Sequence, residues 1–296
     1  MVNVAIAGSS GLAQFIAHYL STKTSHQFIM LSRFPNPALI SKGWQVLQVD
    51  YANNSKLRYA LTGVDVVIST ISGLAETALI TAAAQVKVRR FIPSEFEGPP
   101  SMRTLSKLPD RGNNASLSLL QQYGIEYTIF TCGVFYERFA PGGMAAFQLG
   151  RGTYIDKEGE YVLNIRSMKA ELPYLSDGRD SMLCMTSAQD VAQAVVAALD
   201  LTRWPTEFRM FGDRMSIANL VCIAENVFGR EYQKTFLSVE SLEDRAKNPG
   251  NPRDQWRTYH LLATANGCYD FDTSNINGLV NVRPQRFQEW LRMVWA

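Results

Sequence analysis

The segment Val2–Leu20, VNVAIAGSSGLAQFIAHYL, constrains this chain more than any other. An apolar, strand-like run, Val2–Ala7, passes directly into Gly8-Ser9-Ser10-Gly11, and a helical period begins at Leu12 and Ala13. A strand, a glycine turn and a helix in that order open a βαβ unit. Gly8 permits a tight turn, and Gly11 lets backbone approach a pyrophosphate, whose charge the following helix N-terminus favours. The hydroxyls of Ser9 and Ser10 add donors for phosphate oxygens. The alternative is an ordinary strand–helix turn. A third glycine of the fingerprint would fall at Gln14, so the first helix is expected to stand slightly further from its sheet.

The rest of the first half repeats the alternation. Apolar runs occur at Phe28–Leu31, Trp44–Val49, Val64–Thr70, Arg90–Pro93 and Glu126–Thr131, with helical stretches at Glu76–Val86 and Ala115–Tyr123. Continuous apolar strands between helices predict a doubly wound parallel α/β sheet, helices covering both faces. Asn114 is placed to cap the helix that Gly124 ends. The second half is less regular. Residues 141–186 mix glycine, proline, charge and short strand-like pieces (Thr153–Ile155, Tyr161–Ile165), as expected of a smaller lobe built from insertions. Ser187 and Asp190 then form a capping box, Glu207–Phe211 reads as a seventh strand, Ser216 starts a helix that Gly229 stops, and Pro284 opens the last helix. Residues 244–254 are expected to form an exposed, mobile loop. The division implied is a dinucleotide domain of residues 1–134 with 187–214, and a lobe of 135–186 with 215–296.

Composition narrows the function. Of 296 residues, 29 are Lys or Arg and 27 Asp or Glu, a balance that gives nucleic acid or an anionic membrane no electrostatic hold. No apolar run approaches the roughly 18 residues of a membrane span. The four cysteines are scattered without metal spacing, so no metal site is expected, and they fit a reducing compartment, the cytoplasm.

The ends of the strands carry the next signals. Ser32-Arg33 closes the second strand, roughly 20–25 residues beyond the glycines, where an acidic residue would bind the ribose hydroxyls of NAD. A cation and a hydroxyl there favour the 2′-phosphate of NADP(H), although a solvated loop arginine would look the same. Asp50, at the end of the third strand, is placed near the adenine edge. Thr70-Ile71-Ser72 ends the fourth strand at the same carboxyl edge of the sheet, where open α/β folds bind ligands.

With those residues the chain resembles the NmrA-like and isoflavone-reductase-like branch of the atypical short-chain dehydrogenase/reductases, most of all its fungal secondary-metabolism members. Arg90–Glu97 (RFIPSEFE) is close to a strand-end signature in which Pro-Ser-Glu-Phe precedes glycine. Gly124–Thr128, Asp190–Asp200 and Phe208–Gly212 match later elements of that family. The resemblance implies an NADP(H)-binding Rossmann domain and a carboxyl-terminal lobe closing a pocket over the nicotinamide. It also implies that Pro93, Ser94 and Phe96 line the nicotinamide end, with Glu97 standing where the family has glycine.

One departure bears on chemistry. The isoflavone-reductase-like enzymes use a lysine at the start of the helix before the GIEYT-like segment, and Arg111-Gly112-Asn113-Asn114-Ala115 has none. The amides of Asn113 and Asn114 polarise a carbonyl by hydrogen bonding but release no proton. The tyrosines at 123, 127, 136, 154 and 161 all lack the following lysine of a Tyr-x-x-x-Lys pair, and Lys107 reads as solvated. Cys132, Val134, Phe135 and Tyr136 follow the sixth strand into the lobe, as substrate contacts or hinge packing. His260, in WRTYHLLATA, is an acid–base or substrate group or a half-buried structural one. Arg111 would hold an anionic substrate or a loop carboxylate.

The expected function is NADPH-dependent reduction of an activated alkene, imine or carbonyl in a small hydrophobic, aromatic metabolite. The alternative is a protein that binds NADP without turning it over, as a redox-sensing regulator or as a cyclase or isomerase. Beyond the small molecule no partner is indicated, save a second copy in a homodimer.

Overall fold

The computed structural model describes residues 1–296. Its first half runs β1 (Asn3–Ala7), α1 (Leu12–Lys23), β2 (Gln27–Ser32), α2 (Pro37–Ile40), β3 (Val46–Gln48), α3 (Asn54–Leu61), β4 (Val66–Ser69), α4 (Leu74–Gln85), β5 (Arg90–Ile92), α5 (Asn113–Tyr123), β6 (Glu126–Tyr127) and β7 (Ile129–Thr131). The strands form a six-stranded parallel sheet in the order β3-β2-β1-β4-β5-β6. Alternate residues feed opposite faces. Val4, Ile6, Val66 and Ile68 pack with α1 on one side, while Ala5, Ala7 and Val67 pack with Leu57, Leu79 and Leu120 on the other. Burial on both faces is why these strands lack polar alternation. Strand order reverses between β1 and β4, which creates a crevice at their carboxyl ends.

The sixth apolar run is divided. Thr128 donates its N–H to the Phe91 carbonyl at 3.3 Å, whereas the Ile129 N–H goes to Thr206 at 3.1 Å. Beyond that point β7 leaves the sheet's own strands and pairs with β12 (Glu207–Arg209) in parallel, as a seventh strand flanking the six.

Between the two partners the chain makes a long excursion. β8 (Val134–Phe135) pairs with β11 (Met182–Thr186), and β9 (Leu163–Asn164) with β10 (Lys169–Pro173). After β11 come α6 (Ala188–Ala198), β12, β13 (Asp213–Ser216), α7 (Ile217–Phe228), β14 (Gln233–Leu237), α8 (Val239–Lys247), α9 (Pro252–Ala265) and α10 (Phe287–Val294). α6 packs back on the main sheet beside α1, while residues of β8–β11 and α7–α10 form a second core around Tyr136, Phe139 and Phe287. Met144 and Leu149 lie within the excursion yet join the first core, so the two packings interleave. No helix is long and apolar enough to cross a membrane.

Several local expectations change. Residues 244–254 fall largely into α8 and α9, joined by a short turn, because Asn251 caps Asp254 at 3.0 Å and Pro252 occupies the first helical turn. Pro284 precedes the last helix by three residues; the Phe287 N–H is taken by Asp213 at 2.6 Å. Thr153–Ile155 forms no strand. Asp110, not Asn114, caps α5, accepting the N–H groups of Gly112 at 3.0 Å and Asn113 at 2.7 Å.

The buried carboxyl of Glu137 ties the excursion to α6, both oxygens lying 3.0–3.1 Å from the Ala188 N–H. Burial pushes it up to about 8, Asp190 adding to the effect and the backbone hydrogen bonds opposing it. Its folded pKa is above the unfolded value of about 4.3, so the native state holds a proton that the unfolded chain releases. That contribution is complete below pH of about 4.3 and is lost as pH rises through about 8. Unfolding free energies from urea titrations are therefore expected to fall as pH rises between these limits, with a slope of up to about 1.4 kcal/mol per pH unit. Glu137→Gln should flatten it; an unchanged slope would show that the carboxyl does not titrate here.

Candidate active site

The carboxyl ends of β1 and β4 open into a cleft of about 330 Å³. Ser10, Gly11, Leu12, Thr70 and Ser72 line one end, Val134, Phe135, Trp256, His260 and Tyr269 the other, with Ser94, Phe96, Glu97, Asn113 and Asn114 between them. The topology thus brings the glycine loop, the end of β5, the start of α5 and the lobe together.

At the loop, Gly8 has φ 118°, and a Cβ there would sit 2.1 Å from the Thr70 hydroxyl, which donates to the Ala7 carbonyl at 2.9 Å. At Gly11 a Cβ would come within 2.6 Å of the Gln148 carbonyl. Lobe backbone therefore already uses the close approach this glycine allows. Helix α1 begins with no side-chain cap and no acidic residue in its first turn, so its positive end faces the cleft at Gly11 and Leu12, while the N–H groups of Ala13 and Gln14 are taken by the Ser10 and Gly11 carbonyls at 3.1 and 3.0 Å. Ala13 is buried beneath. Gln14 ties the loop down, donating to the Ser9 carbonyl at 3.1 Å and to the Gln148 amide oxygen at 3.3 Å.

Ser9 and Ser32 hydroxyls are 3.1 Å apart, linking the loop to the end of β2. Arg33 follows, exposed, its guanidinium held by no carboxylate and lying 6.0 Å from the Phe34 ring. Asp50 is exposed and accepts the Ala52 N–H at 3.0 Å, as a turn residue does. Ile71 packs against the second face of the sheet rather than lining the cleft.

The β5 end is braced from below. Glu76, fully buried on α4, accepts the Ser94 N–H at 2.7 Å and the Ser116 hydroxyl at 2.9 Å, and burial raises its carboxyl above the usual range. Pro93 is buried behind Ser94. Phe96 stacks on Phe130. Glu97 holds an ordinary negative φ; the close contact falls on Gly98, where a Cβ would meet the Cys268 carbonyl at 2.1 Å.

At the start of α5, Asn114 accepts from Arg103 at 3.2 Å, and Arg103 is ion-paired with the buried Glu95. Asn113 is half-buried in the cleft wall, and Arg111 leans toward Ser72. Lys107 lies elsewhere, paired with Glu243 at 3.0 Å.

Two expected contacts are absent. Tyr136 is fully buried against Phe287 and Trp290 and donates to the Gln285 carbonyl at 3.0 Å, because the turn after β8 swings its ring into the lobe core. Cys132 is fully buried in the core of the sheet, its thiol held well above its ordinary value by burial. His260 does reach the cleft: its Nδ1 is 3.0 Å from the Tyr269 hydroxyl. Burial first, then Arg138 and Arg111, hold the imidazole well below its ordinary pKa, so it is neutral near pH 7.

Arg138, Trp256, Tyr269 and Arg103 also line the cleft and were not singled out from the sequence. Trp256 stands four residues before His260 on α9, the spacing of one helical face, and that signal was readable. Nothing local marks the other three.

The profile of the NmrA-like family matches residues 3–291. Among curated relatives, oxidoreductase BOA1 of Botryotinia fuckeliana is 27% identical over 244 residues, 78% of each chain. An isoflavone reductase homolog of Nicotiana tabacum is 24% identical over 275 residues, covering 81% of this chain and 78% of its own. Among solved structures, AtPrR2 with NADP+ and (+)pinoresinol superposes with a TM-score of 0.79 at 20% identity, over 99% of this chain and 98% of that one. The structural likeness carries the fold.

Proposed function

This chain belongs to the NmrA-like family, and from that premise we propose that it is an NADPH-dependent reductase of a small, hydrophobic, aromatic metabolite. The observation that carries the reading is that one cleft joins the uncapped start of α1 at the glycine loop to a lobe wall holding Phe135, Met144 and Trp256. Relatives named as oxidoreductases and an NADP-bound structural neighbour support it.

The residues present fit the dinucleotide. The N–H groups at Ser10–Leu12 and the serine hydroxyls suit a diphosphate, and Ser32 with the unpaired Arg33 suits a 2′-phosphate. NADPH supplies a hydride when bound. The chain's own part is to position the acceptor, exclude water and hold hydrogen bonds at its polar atom. Asn113, half-buried in the cleft wall, would donate an amide N–H to that atom. Because an amide releases no proton near neutral pH, the site favours an acceptor that carries its own, such as an iminium.

The same asparagines favour a second reading, a protein that keeps NADP(H) without oxidising it, as a regulator, cyclase or isomerase. Deuterium labelling at nicotinamide C4 separates the two. With a panel of aromatic imines, enones and aldehydes, the reductase reading expects one deuterium in the product at a single face, with loss of nicotinamide absorbance. Turnover without that loss would establish the second reading instead.

A further inference from the structure

We propose that the lobe end of the cleft is a carboxylate-binding subsite, with Arg138 as its anchor, so that the substrate is a hydrophobic acid. This deepens the reductase reading and rests on it for the identity of the neighbouring ligand.

Arg138 lies on the turn Tyr136–Phe139 and lines the cleft. Its guanidinium stands 5.4 Å over the Tyr161 ring, and one terminal nitrogen donates to the Ile155 carbonyl at 3.3 Å. Its Nε is buried with no acceptor at all. No carboxylate completes it: Glu137, its neighbour in sequence, is turned away to the Ala188 N–H. Arg103, in the same cleft, shows the contrast, since Glu95 neutralises it. A half-buried cation with no carboxylate partner is costly for a fold to keep, which makes its cleft-facing edge a candidate for a ligand's complementary charge.

The surroundings specify the ligand. His260 and Tyr269 form a neutral, hydrogen-bonded pair beside Arg138, whose charge disfavours the imidazolium. Arg111, leaning toward Ser72, and the exposed Arg151 add positive charge to the cleft, whose carboxylates are Glu97, Asp110 and the Arg103-paired Glu95. Donors thus dominate at this end. Phe135, Met144 and Trp256 supply apolar wall. A planar carboxylate matches the fork of a guanidinium, and an aromatic body matches the wall.

Cinnamate and cinnamamide differ chiefly in that charge and serve as probes, titrated calorimetrically into the full-length protein with and without saturating NADPH. Cinnamate should bind at least tenfold more tightly than the amide. Arg138→Gln should bring it to the amide's level while leaving cinnamamide and NADPH affinities in place, and Arg138→Lys should keep part of the preference. Equal binding of acid and amide by the unaltered protein, or a preference that survives Arg138→Gln, would overturn the proposal. Should Arg138→Gln misfold, the acid–amide comparison and Arg138→Lys still decide it. The reductase reading is judged separately, by NADPH binding in the same titrations and by the deuterium transfer from nicotinamide C4, neither of which depends on the acid–amide preference.

Discussion

Gly133→Ala is expected to destabilise the protein by about 4 kcal/mol or more, lowering the melting temperature by about 10 °C. Gly133 is where the chain passes from β7 to β8, with φ 69°. A Cβ there would lie 2.0 Å from the Cys184 carbonyl oxygen and 2.5 Å from its carbon. Cys184 is fully buried in β11, the central strand of its three-stranded sheet, so the obstruction is backbone that cannot rotate aside. Gly124→Ala provides the control. Gly124 has a similar φ of 67° and nothing within 4 Å of an added Cβ, so it should cost only about 1 kcal/mol. Thermal melts of the two variants separate overlap from backbone preference. Equal losses would show that β11 yields to the new methyl group.

The second large effect concerns the dinucleotide. Arg33→Ala should weaken NADPH binding by about 10–100-fold, the worth of a charge-assisted contact to phosphate, and leave NADH nearly unaffected. Arg33 is exposed, free of carboxylate partners and next to Ser32, whose hydroxyl already meets that of Ser9. The substitution removes no buried packing, so fluorescence titrations with both coenzymes read recognition alone. Parallel losses for the two would remove the 2′-phosphate assignment.

What could be read in advance followed from local chemistry. The strand–glycine–helix start, the capping box at Ser187, the cap at Ser216, and the stops at Gly124 and Gly229 are written within a few residues of where they act. The parallel sheet followed from apolar runs buried on both faces. Other features depend on which distant chain arrives. Thr128 divides a continuous apolar run because a different strand waits on either side of it. Tyr136 and Phe135 are adjacent and both aromatic, yet one fills the lobe core and the other lines the cleft, a choice made by the turn that follows β8. Asp110 displaced Asn114 as the cap because its side chain reaches forward to N–H groups from three residues before the helix. Arg138 and Tyr269 acquire their meaning only from each other and from His260, far apart in the chain.

The parallel pairing of β7 with β12 bears on synthesis. A nascent polypeptide emerging amino end first completes six strands early, but the outer rim of β7 stays uncovered until Glu207–Arg209 have left the ribosome. Throughout that interval an apolar ribbon, Ile129–Thr131, is available for wrong pairing, and the whole lobe must be translated before its proper neighbour arrives.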